Sequence, residues 1–344
     1  MRVHVLGAGI VGLACANELV ARGHHVTVVD PAPGGGASAV AAGMLSPAGE
    51  AWYGEPDVLR LGLASARLWP AYAAGLGVAL HERGTLVVGH DAGDGQEVER
   101  HAEMLDGHGI RVDLLGPAEV RDLEPGMGHT ARGIRLEDRA VDPRAVVAAL
   151  LARLHGRVEE REPAADPDAV VVATGARLPE PWTRLVRGVR GEVVRLRTTE
   201  PPRHVVRGWV AGEPVYLVPR VDGEVVVGAT VEEHDEPPAV TAGGVVRLLR
   251  AARVLLPALD RAEVLACEAR DRPATRDHLP LVGPTDDPRT WLAAGHFRHG
   301  VLLAPLTARL LADSLEGAAP DPAVDPRRLL TSPNPDTTRG STCA

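Results

Sequence analysis

The stretch Arg2-Val-His-Val-Leu-Gly-Ala-Gly-Ile-Val-Gly12 joins a short apolar run to a G-x-G-x-x-G motif. The run Arg2–Leu6 predicts a buried parallel strand, and the apolar residues after the motif recur at helical spacing until Gly23 ends the pattern. His25–Val29 predicts a second strand, and Asp30 follows it directly. Strand, glycine turn, helix and acidic residue in this order predict a Rossmann-type dinucleotide-binding unit.

Each glycine of this motif has a separate predicted role. Gly7 permits a tight turn, Gly9 lets the backbone approach a pyrophosphate, and Gly12 lets the helix pack closely on the strand. The N–H groups and the dipole of the helix N-terminus favour phosphate binding, and Asp30 can accept hydrogen bonds from ribose hydroxyls. The simpler alternative is a glycine turn without a ligand, but the surrounding strand, helix and acid argue against it. The motif does not distinguish FAD from NAD.

Composition narrows the class of protein. A chain of 344 residues with 45% hydrophobic residues allows one large or two medium domains with ample core. A net charge of −9 without a basic block argues against nucleic acid as the main partner. No apolar run reaches about 18 residues, so no membrane span is expected. The N-terminal strand leaves no room for a signal peptide.

Cysteine and lysine usage exclude several chemistries. Cys15, Cys267 and Cys343 lie far apart without a C-x-x-C pair, so neither a zinc knuckle nor a dithiol site is predicted, and a reducing cytoplasm fits. The chain has no lysine, and all 37 of its Lys and Arg positions are arginine. This excludes a Walker phosphate loop and Schiff-base catalysis. Fixed positive charge must come from arginine, which suits bidentate recognition of carboxylates.

The chain between the second strand and residue 175 continues the nucleotide-binding pattern. A loop over Pro31–Ser38 leads into the small residues Ala39–Met44, which predict close approach of a flat or bulky group; the alternative is a small-residue helix on the sheet. Helices are predicted at 56–76 with a kink near Pro70, at 96–108, at 117–122 and from the Asp142-Pro143 cap to about 155. Strands are predicted at 84–89, 133–136 and 169–173.

From residue 190 the pattern changes to alternating strands. Strands are predicted at 191–197, 214–219 and 224–231, with Asp222-Gly223 as a hairpin turn, followed by a helix at 241–256 and a strand at 264–270. This predicts an antiparallel α+β domain inserted into the nucleotide-binding domain. A strand at 290–294, the turn Gly295–Gly300 and a helix from Val301 to about Leu315 then place a second helix N-terminus near the ligand.

Four segments, taken together, resemble the flavin-dependent D-amino-acid oxidase family, and most closely its glycine oxidases of thiamine biosynthesis. The segments are Gly7–Gly12 with Asp30, Gly36–Pro47, Tyr216–Arg220 with Gly228–Thr230, and Arg272–Gly283 followed by Gly295–Pro305.

The resemblance implies an α/β fold, with a Rossmann-like FAD-binding domain of glutathione-reductase type and an inserted antiparallel α+β substrate domain. The expected FAD-binding domain comprises residues 1–80, 133–185 and 272–318, the substrate domain 81–132 and 186–271, and a flexible tail 319–344.

The resemblance also implies FAD as the cofactor, and a set of residues around it. No cysteine lies in Arg272–Gly283, where some related amine oxidases tether the flavin, so FAD is expected to be non-covalent. An adenine contact is expected near Pro163-Ala164. The residues implied to bind FAD are Gly7, Gly9, Ile10, Val11, Gly12, Asp30, Pro31, Ala37, Ser38, Ala42, Gly43 and Met44, with Gly295, His296, Phe297, Arg298, His299, Gly300, Val301 and Leu302 approaching the isoalloxazine.

Three residues of this sequence match the family's substrate-binding positions. The resemblance implies that the Tyr216 hydroxyl and the Arg272 guanidinium bind the substrate carboxylate, and that Arg298 lies at the edge of the site. Each has a structural alternative: a core aromatic for Tyr216, a surface ion pair for Arg272, and a brace of the flavin loop for Arg298.

Two positions depart from the family pattern. Arg270-Asp271 replaces a small or apolar pair, so Asp271 is a potential partner for a neighbouring arginine and a potential weakness of the carboxylate clamp. Val231 stands where a longer apolar side chain is common, which alters the expected roof of the pocket. Both departures concern the identity of the substrate rather than the class of reaction.

The implied reaction is oxidative deamination of glycine or another small amino acid. Hydride transfer to the flavin gives an imine and then an oxo acid and ammonia, and molecular oxygen yields hydrogen peroxide. Expected partners are the amino acid and oxygen, with transfer of the imine to a thiazole synthase and homo-oligomer formation as further possibilities. The alternatives are oxidation of sarcosine, a D-amino acid or a natural-product intermediate, an NAD-dependent dehydrogenase, and a catalytically silent FAD-binding module.

Two histidine pairings suggest other chemistry. His296 and His299 have a spacing that suits one helix face, but no acidic residue lies near them in the sequence, so structural roles are preferred to a metal site. Asp277-His278 could form a proton relay, although an Asx turn before Pro280 is the preferred interpretation.

Overall fold

The structure is a computed structural model that describes residues 1–161, 166–234 and 236–330. The expected adenine position, Pro163 and Ala164, and the third cysteine, Cys343, lie outside the described residues.

The strands are β1 Arg2–Leu6, β2 His25–Val29, β3 Met44–Leu45, β4 Leu80–His81, β5 Thr85–Gly89, β6 Leu114–Leu115, β7 Arg132–Leu136, β8 Arg139–Val141, β9 Val158–Glu159, β10 Ala169–Val172, β11 Arg187–Arg197, β12 Val205–Val210, β13 Glu213–Pro219, β14 Glu224–Gly228, β15 Glu263–Ala274, β16 Leu281–Pro284 and β17 Thr290–Ala294. The helices are α1 Ile10–Ala21, α2 Pro56–Ala66, α3 Trp69–Leu76, α4 Ala92–Gly107, α5 Pro117–Leu123, α6 Pro143–Arg153, α7 Ala242–Leu255, α8 Gly300–Leu315 and α9 Arg327–Leu330.

The first sheet has the order β16-β17-β10-β1-β2-β9 and confirms the Rossmann-like prediction. Strand β1 pairs in parallel with both β2 and β10, and β17 pairs in parallel with β10. The alternating residues of β1 are fully buried at Val3 and Val5, and the apolar faces of α1, α6 and α8 join them in one core. A parallel sheet covered in this way presents the carboxyl ends of its strands to a ligand crevice.

The second sheet has the order β15-β11-β14-β13-β12-β5-β7-β6 and is largely antiparallel, as predicted. The long strands β11 and β15 pair along their length, and β5 joins β12 in parallel. Helix α7 covers one face of this sheet through Leu248 and Leu255, which pack on Leu217. The other face is directed at the first domain, and a cavity lies between them.

Local capping explains several element boundaries. Helix α4 begins at Ala92, earlier than predicted, because Asp91 and Asp94 form a capping box. The Asp142 carboxylate accepts the Arg144 N–H at 3.0 Å, and α6 starts there as predicted.

Two segments differ from their predicted structure. The predicted kink near Pro70 is a complete break, since α2 ends at Ala66 and α3 begins at Trp69. The small residues 39–44 form no α-helix: a 3₁₀ turn over Ala37–Ala39 ends at the first of them, and β3 begins at Met44.

Two expected boundaries are wrong in part. Most of β7 falls within residues 133–185 of the expected FAD-binding domain, but this strand pairs with β5 in the second sheet, because its apolar Ile134 is buried between β5 and α4. The tail was expected to be flexible from residue 319. Its described part, 319–330, packs on the first domain: Val324 is buried, and its carbonyl accepts the Val282 N–H at 2.7 Å. Asp321 also pairs with Arg60 at 3.0 Å.

Candidate active site

A cavity of about 1000 Å³ between the two domains collects most of the predicted site residues. Of the predicted residues, those that line it are Gly7, Gly9, Ile10, Val11, Asp30, Pro31, Ala37, Ser38, Ala42, Gly43, Met44, Tyr216, Arg272, His296, Phe297, Arg298, Gly300 and Val301. Gly12, Gly295, His299 and Leu302 lie behind this wall instead. Leu302 connects α8 to helices α2 and α3, because its carbonyl accepts hydrogen bonds from the Ser65 hydroxyl and the Trp69 indole N–H.

The three motif glycines differ in what surrounds them. A Cβ on Gly12 would lie 2.0 Å from the Gly7 carbonyl oxygen, and one on Gly7, whose φ is +107°, would lie 2.4 Å from the Ala173 oxygen. Both glycines are therefore required by the packing of α1 on its sheet. A Cβ on Gly9 would meet nothing closer than the Ser38 hydroxyl at 3.4 Å. The missing side chain at Gly9 therefore leaves room in the cavity, as close approach of a ligand requires.

The N-terminus of α1 and Asp30 form the polar wall of this end. The Leu13 N–H bonds to the Gly9 carbonyl, so the amides of residues 10–12 lie outside the helix ladder, and the Ile10 N–H goes to the Ser38 hydroxyl at 3.0 Å. The Asp30 carboxylate accepts the Ala8 N–H at 2.6 Å and the Ala32 N–H at 2.8 Å. Carboxylate oxygens have further lone pairs, so this arrangement leaves capacity for ribose hydroxyls.

The opposite wall is the face of the second sheet, where Arg272 lies across a glycine. A Cβ on Gly191 would be 2.4 Å from Arg272 Cζ, so this guanidinium extends from β15 over β11. Arg272 Nη1 donates to the Arg190 and Thr230 carbonyls at 3.3 and 3.1 Å. Among the described residues no carboxylate lies within ion-pair distance of it. The guanidinium is therefore positioned by backbone acceptors and keeps its charge for a ligand.

Tyr216 lies on the same face of the sheet and reaches towards Arg272 from the opposite direction across the strands. A Cβ on Gly228 would be 2.2 Å from the Tyr216 hydroxyl, so the phenol extends from β13 over β14. Strands β11 and β14 are neighbours, about 4.8 Å apart, which brings phenol and guanidinium together over adjacent strands. Burial raises the pKa of Tyr216, and the positive charge of Arg272 opposes that rise. The hydroxyl therefore stays protonated and can donate to an anion.

Asp271 does not weaken this pair. In the β11–β15 ladder Asp271 is opposite Arg190, and the Arg190 Nε donates to its carboxylate at 2.6 Å. Arg190 is 2% exposed and also donates to the carbonyls of Glu236 and Pro237. Neighbouring residues of a strand point to opposite faces, so Asp271 and Arg272 have separate partners. The other departure, Val231, lines the cavity and is exposed at its mouth.

Arg298 lies at the rim and makes three contacts. Its guanidinium stacks on the Trp52 ring at 3.7 Å from the centroid, forms an ion pair with Glu55, and donates to the Glu50 carbonyl at 3.2 Å. Glu55 also bonds to His278 Nδ1 at 2.6 Å. Arg298 therefore lines the cavity while bracing the 50–55 segment, which combines both interpretations of this residue.

His296 and His278 have structural partners, whereas neither ring nitrogen of the buried His299 has a hydrogen-bond partner in the described part of the chain. Burial lowers the pKa of His296 to about 3, and its Nε2 lies 2.8 Å from the Thr307 hydroxyl. No group of three potential metal ligands occurs in the described ranges 1–161, 166–234 and 236–330. Asp277 accepts the Leu279 N–H at 3.2 Å and pairs with Arg328 at 2.8 Å, so the Asx turn is confirmed. His278 binds Glu55 instead of Asp277.

Sequence reasoning missed an ion pair that lines the same cavity. Glu50 and Arg207 are 3.0 Å apart and come from different domains. Glu50 belongs to no motif, and the strand β12 that carries Arg207 was not predicted because its apolar and polar residues alternate imperfectly around Gly208. Gly191 and Gly228 were likewise not recognised as the positions over which Arg272 and Tyr216 lie.

A further carboxylate behind Glu50 predicts a pH effect on stability. The Asp138 carboxylate accepts the Ser46 hydroxyl at 2.5 Å, and burial, with a smaller effect of Glu50, raises the pKa of Asp138 from 3.8 to about 6. The folded state thus holds the proton more tightly than the unfolded state. The stability this contributes is complete below about pH 4 and is lost as pH rises through about 6.

Asp138→Asn removes that dependence. Relative to the unsubstituted protein, the variant should gain up to ~3 kcal/mol in free energy of unfolding between about pH 4 and pH 8. Urea unfolding at the two pH values measures the difference. Glu137→Gln, at an exposed neighbouring position, is the control and should show a much smaller change. An equal change in both variants would contradict the assignment to Asp138.

The comparisons with known proteins agree with this geometry. The family model described as FAD dependent oxidoreductase, DAO, matches residues 2–314. A protein of Rhizobium etli assigned as the thiamine biosynthesis oxidoreductase ThiO is 38% identical over 327 residues, which cover 90% of this chain and 94% of the relative. The glycine oxidase of Geobacillus kaustophilus is 30% identical over 351 residues, covering 91% and 92%.

Solved structures give the same result. The crystal structure of glycine oxidase from Geobacillus kaustophilus superposes with a TM-score of 0.82 at 30% identity, covering 94% of this chain and 96% of that one. Within the described residues, no helix has the length and apolarity needed to cross a membrane. The match over nearly the whole chain, together with the glycine-framed cavity, shows that this chain belongs to the DAO family of FAD-dependent oxidoreductases and uses FAD as its cofactor.

Proposed function

We propose that this protein oxidises glycine or another small amino acid with FAD and molecular oxygen, giving an imine, then an oxo acid and ammonia, and hydrogen peroxide. The observation that carries the proposal is the pairing of Arg272 and Tyr216 over Gly191 and Gly228, on the cavity wall that faces the dinucleotide end. The relatives named glycine oxidase and ThiO support the substrate and a role in thiamine biosynthesis.

The residues present fit FAD. The space left at Gly9, the amides of α1 and the acceptor oxygens of Asp30 suit a diphosphate and a ribose. Ala42, Gly43 and Met44 would hold the flavin on one side, and the cavity-lining residues between His296 and Val301 on the other. The first N–H groups of α8 would favour negative charge that develops nearby. FAD supplies, when bound, an acceptor for the hydride of the amine-bearing carbon and passes electrons to oxygen.

The protein's own contribution is to position the substrate. Arg272 would bind the carboxylate with two N–H groups and Tyr216 would donate a third hydrogen bond, which fixes the orientation of the amine-bearing carbon. The acidic groups on the cavity wall are already engaged: Glu50 with Arg207, Asp271 with Arg190, and Asp30 with backbone N–H groups. The amine would therefore enter in its neutral form, having released its proton to solvent.

We also propose that the imine passes to a thiazole-forming enzyme. The bifunctional protein ThiO/ThiG of Nostoc is 30% identical over 350 residues, which cover 92% of this chain but 53% of that relative. In that relative a second unit is thus joined to the part that matches this chain. A homo-oligomer in the cytoplasm completes the proposal, based on analogy and on cysteine usage.

Anaerobic flavin reduction with a panel of glycine, sarcosine and D-alanine tests the proposal. Bleaching of the flavin absorbance by glycine, followed by peroxide release on admission of oxygen, is the expected result. Faster reduction by sarcosine or D-alanine would select one of the alternative amines. No bleaching by any member of the panel would contradict amino acid oxidation and favour a silent FAD-binding module.

A further inference from the structure

The cavity contains a second arginine whose charge is met by an acidic side chain from the other domain. Arg207 lies on β12 directly opposite Tyr216 on β13, so the two side chains share a face of the sheet. Arg207 Nη1 donates to Glu50 Oε1 at 3.0 Å and lies 3.9 Å from Met44 Sδ. The guanidinium therefore extends from the substrate-domain sheet to the segment that would hold the flavin.

Glu50 is held firmly in this position. Its N–H donates to the Ser46 carbonyl at 3.0 Å, and its own carbonyl accepts the Arg298 guanidinium at 3.2 Å. Its side chain is 9% exposed. Its second carboxylate oxygen lies 3.9 Å from His299 Nδ1. Burial and the charges of Arg298 and Arg207 lower the pKa of His299, so this imidazole is neutral and adds no second cation. Arg207 is therefore the cation that balances Glu50.

The two arginines lie on the same face of the sheet, with Tyr216 between them. Arg272 lies over Gly191 of β11, whereas Arg207 is opposite Tyr216, whose phenol extends over Gly228 of β14. A ligand whose first carboxylate is held by Arg272 and Tyr216 would present a second carboxylate, beyond the phenol, to Arg207. Amines that carry two carboxylates are the substrate class that this arrangement would recognise.

We propose that Glu50 occupies the place at Arg207 that the second carboxylate of such a dicarboxylic amine would take, and so restricts the enzyme to amines with one carboxylate. This inference rests on the proposed function, because Arg272 must bind the first carboxylate. A dianionic substrate meets the Glu50 carboxylate in a site with little solvent, where like charges repel strongly. A substrate with a single carboxylate is bound at Arg272 and does not reach the Arg207–Glu50 pair.

Glu50→Gln separates the charge of this side chain from its shape. The amide oxygen can still accept from Arg207, but the guanidinium then has an unbalanced positive charge. The variant should therefore gain affinity for ligands with a second carboxylate, relative to ligands with one. Adding Arg207→Gln removes the cation and should abolish the gain.

Two unreactive ethers make the measurement independent of catalysis. Diglycolate carries two carboxymethyl groups on one oxygen, and methoxyacetate carries one carboxymethyl and one methyl group. Their dissociation constants are measured on the oxidised holoenzyme from the perturbation of the flavin spectrum. In Glu50→Gln the preference for diglycolate over methoxyacetate should rise roughly tenfold or more, and Glu50→Gln/Arg207→Gln should return it to the original value.

The outcomes are distinct. An unchanged preference in Glu50→Gln, or an equal rise in the double variant, would overturn the role of the pair and leave the proposed function intact. Absence of flavin reduction by glycine, measured on the same holoenzyme, would overturn the proposed function and this inference with it. A rise that depends on Arg207, accompanied by faster flavin reduction by iminodiacetate relative to sarcosine, supports the proposal.

Discussion

Arg272→Ala should raise the KM for glycine by roughly 30- to 1000-fold, because a carboxylate in a buried site would lose its charged partner at a cost of ~2–4 kcal/mol. FAD should remain bound, because the hydrogen bonds of Arg272 go to the Arg190 and Thr230 carbonyls and not to the dinucleotide end. Steady-state peroxide release measures KM, and the flavin absorbance of the purified protein measures occupancy.

Two further variants complete the test of Arg272, one that separates the geometry of its side chain from its charge and one that serves as the control. Arg272→Lys keeps the charge but loses the planar fork, so its KM should lie between those of the original protein and Arg272→Ala. Arg197→Ala is the control: Arg197 lies on β11, its side chain is half exposed, and among the described residues its one ion pair is a 3.9 Å contact with Asp222. Its KM should not change. A normal KM in Arg272→Ala would refute the assignment of this arginine to the carboxylate.

The predicted nucleotide-binding domain illustrates what local sequence can establish. Gly7, Gly12 and Asp30 are recognisable because their spacing is set by one strand, one turn and one helix, and these form locally. The second sheet was predicted as a class, but the place of β7 in it was not. A strand of five residues does not by itself specify its partner, and β7 pairs with β5 in an antiparallel ladder although α4, β6 and α5 separate the two strands in the chain.

In the candidate site, too, local sequence identifies single residues but not the contacts between distant strands. Tyr216 and Arg272 could be proposed from resemblance, yet the reason they converge is the pair of glycines on the intervening strands, which only the register of the ladder reveals. The Asp271–Arg190 pair likewise depends on register. Glu50 and Arg207 come from different domains, far apart in the chain, so neither spacing nor periodicity could place them at one wall.

Gly12→Ala should abolish FAD binding, and the reason is steric. The added Cβ would lie 2.0 Å from the Gly7 carbonyl oxygen and 3.2 Å from the Ala173 Cβ. The turn cannot yield, because Gly7 has a φ of +107° and is itself packed against the Ala173 carbonyl. Helix α1 must therefore move away from β1, and its amide N–H groups would leave the position that suits a diphosphate. Overpacking of this kind costs ~1–3 kcal/mol of stability.

The control for this prediction is Gly75→Ala, another glycine within a helix. A Cβ there meets no atom within 4 Å, so the variant should keep its flavin and gain about 0.5–1 kcal/mol from helix propensity. Flavin absorbance per protein after purification, titration of the apoprotein with FAD and urea unfolding of the apoprotein test both variants. Full flavin occupancy in Gly12→Ala would show that the close contact between helix and turn is not what holds the cofactor-binding amides in place.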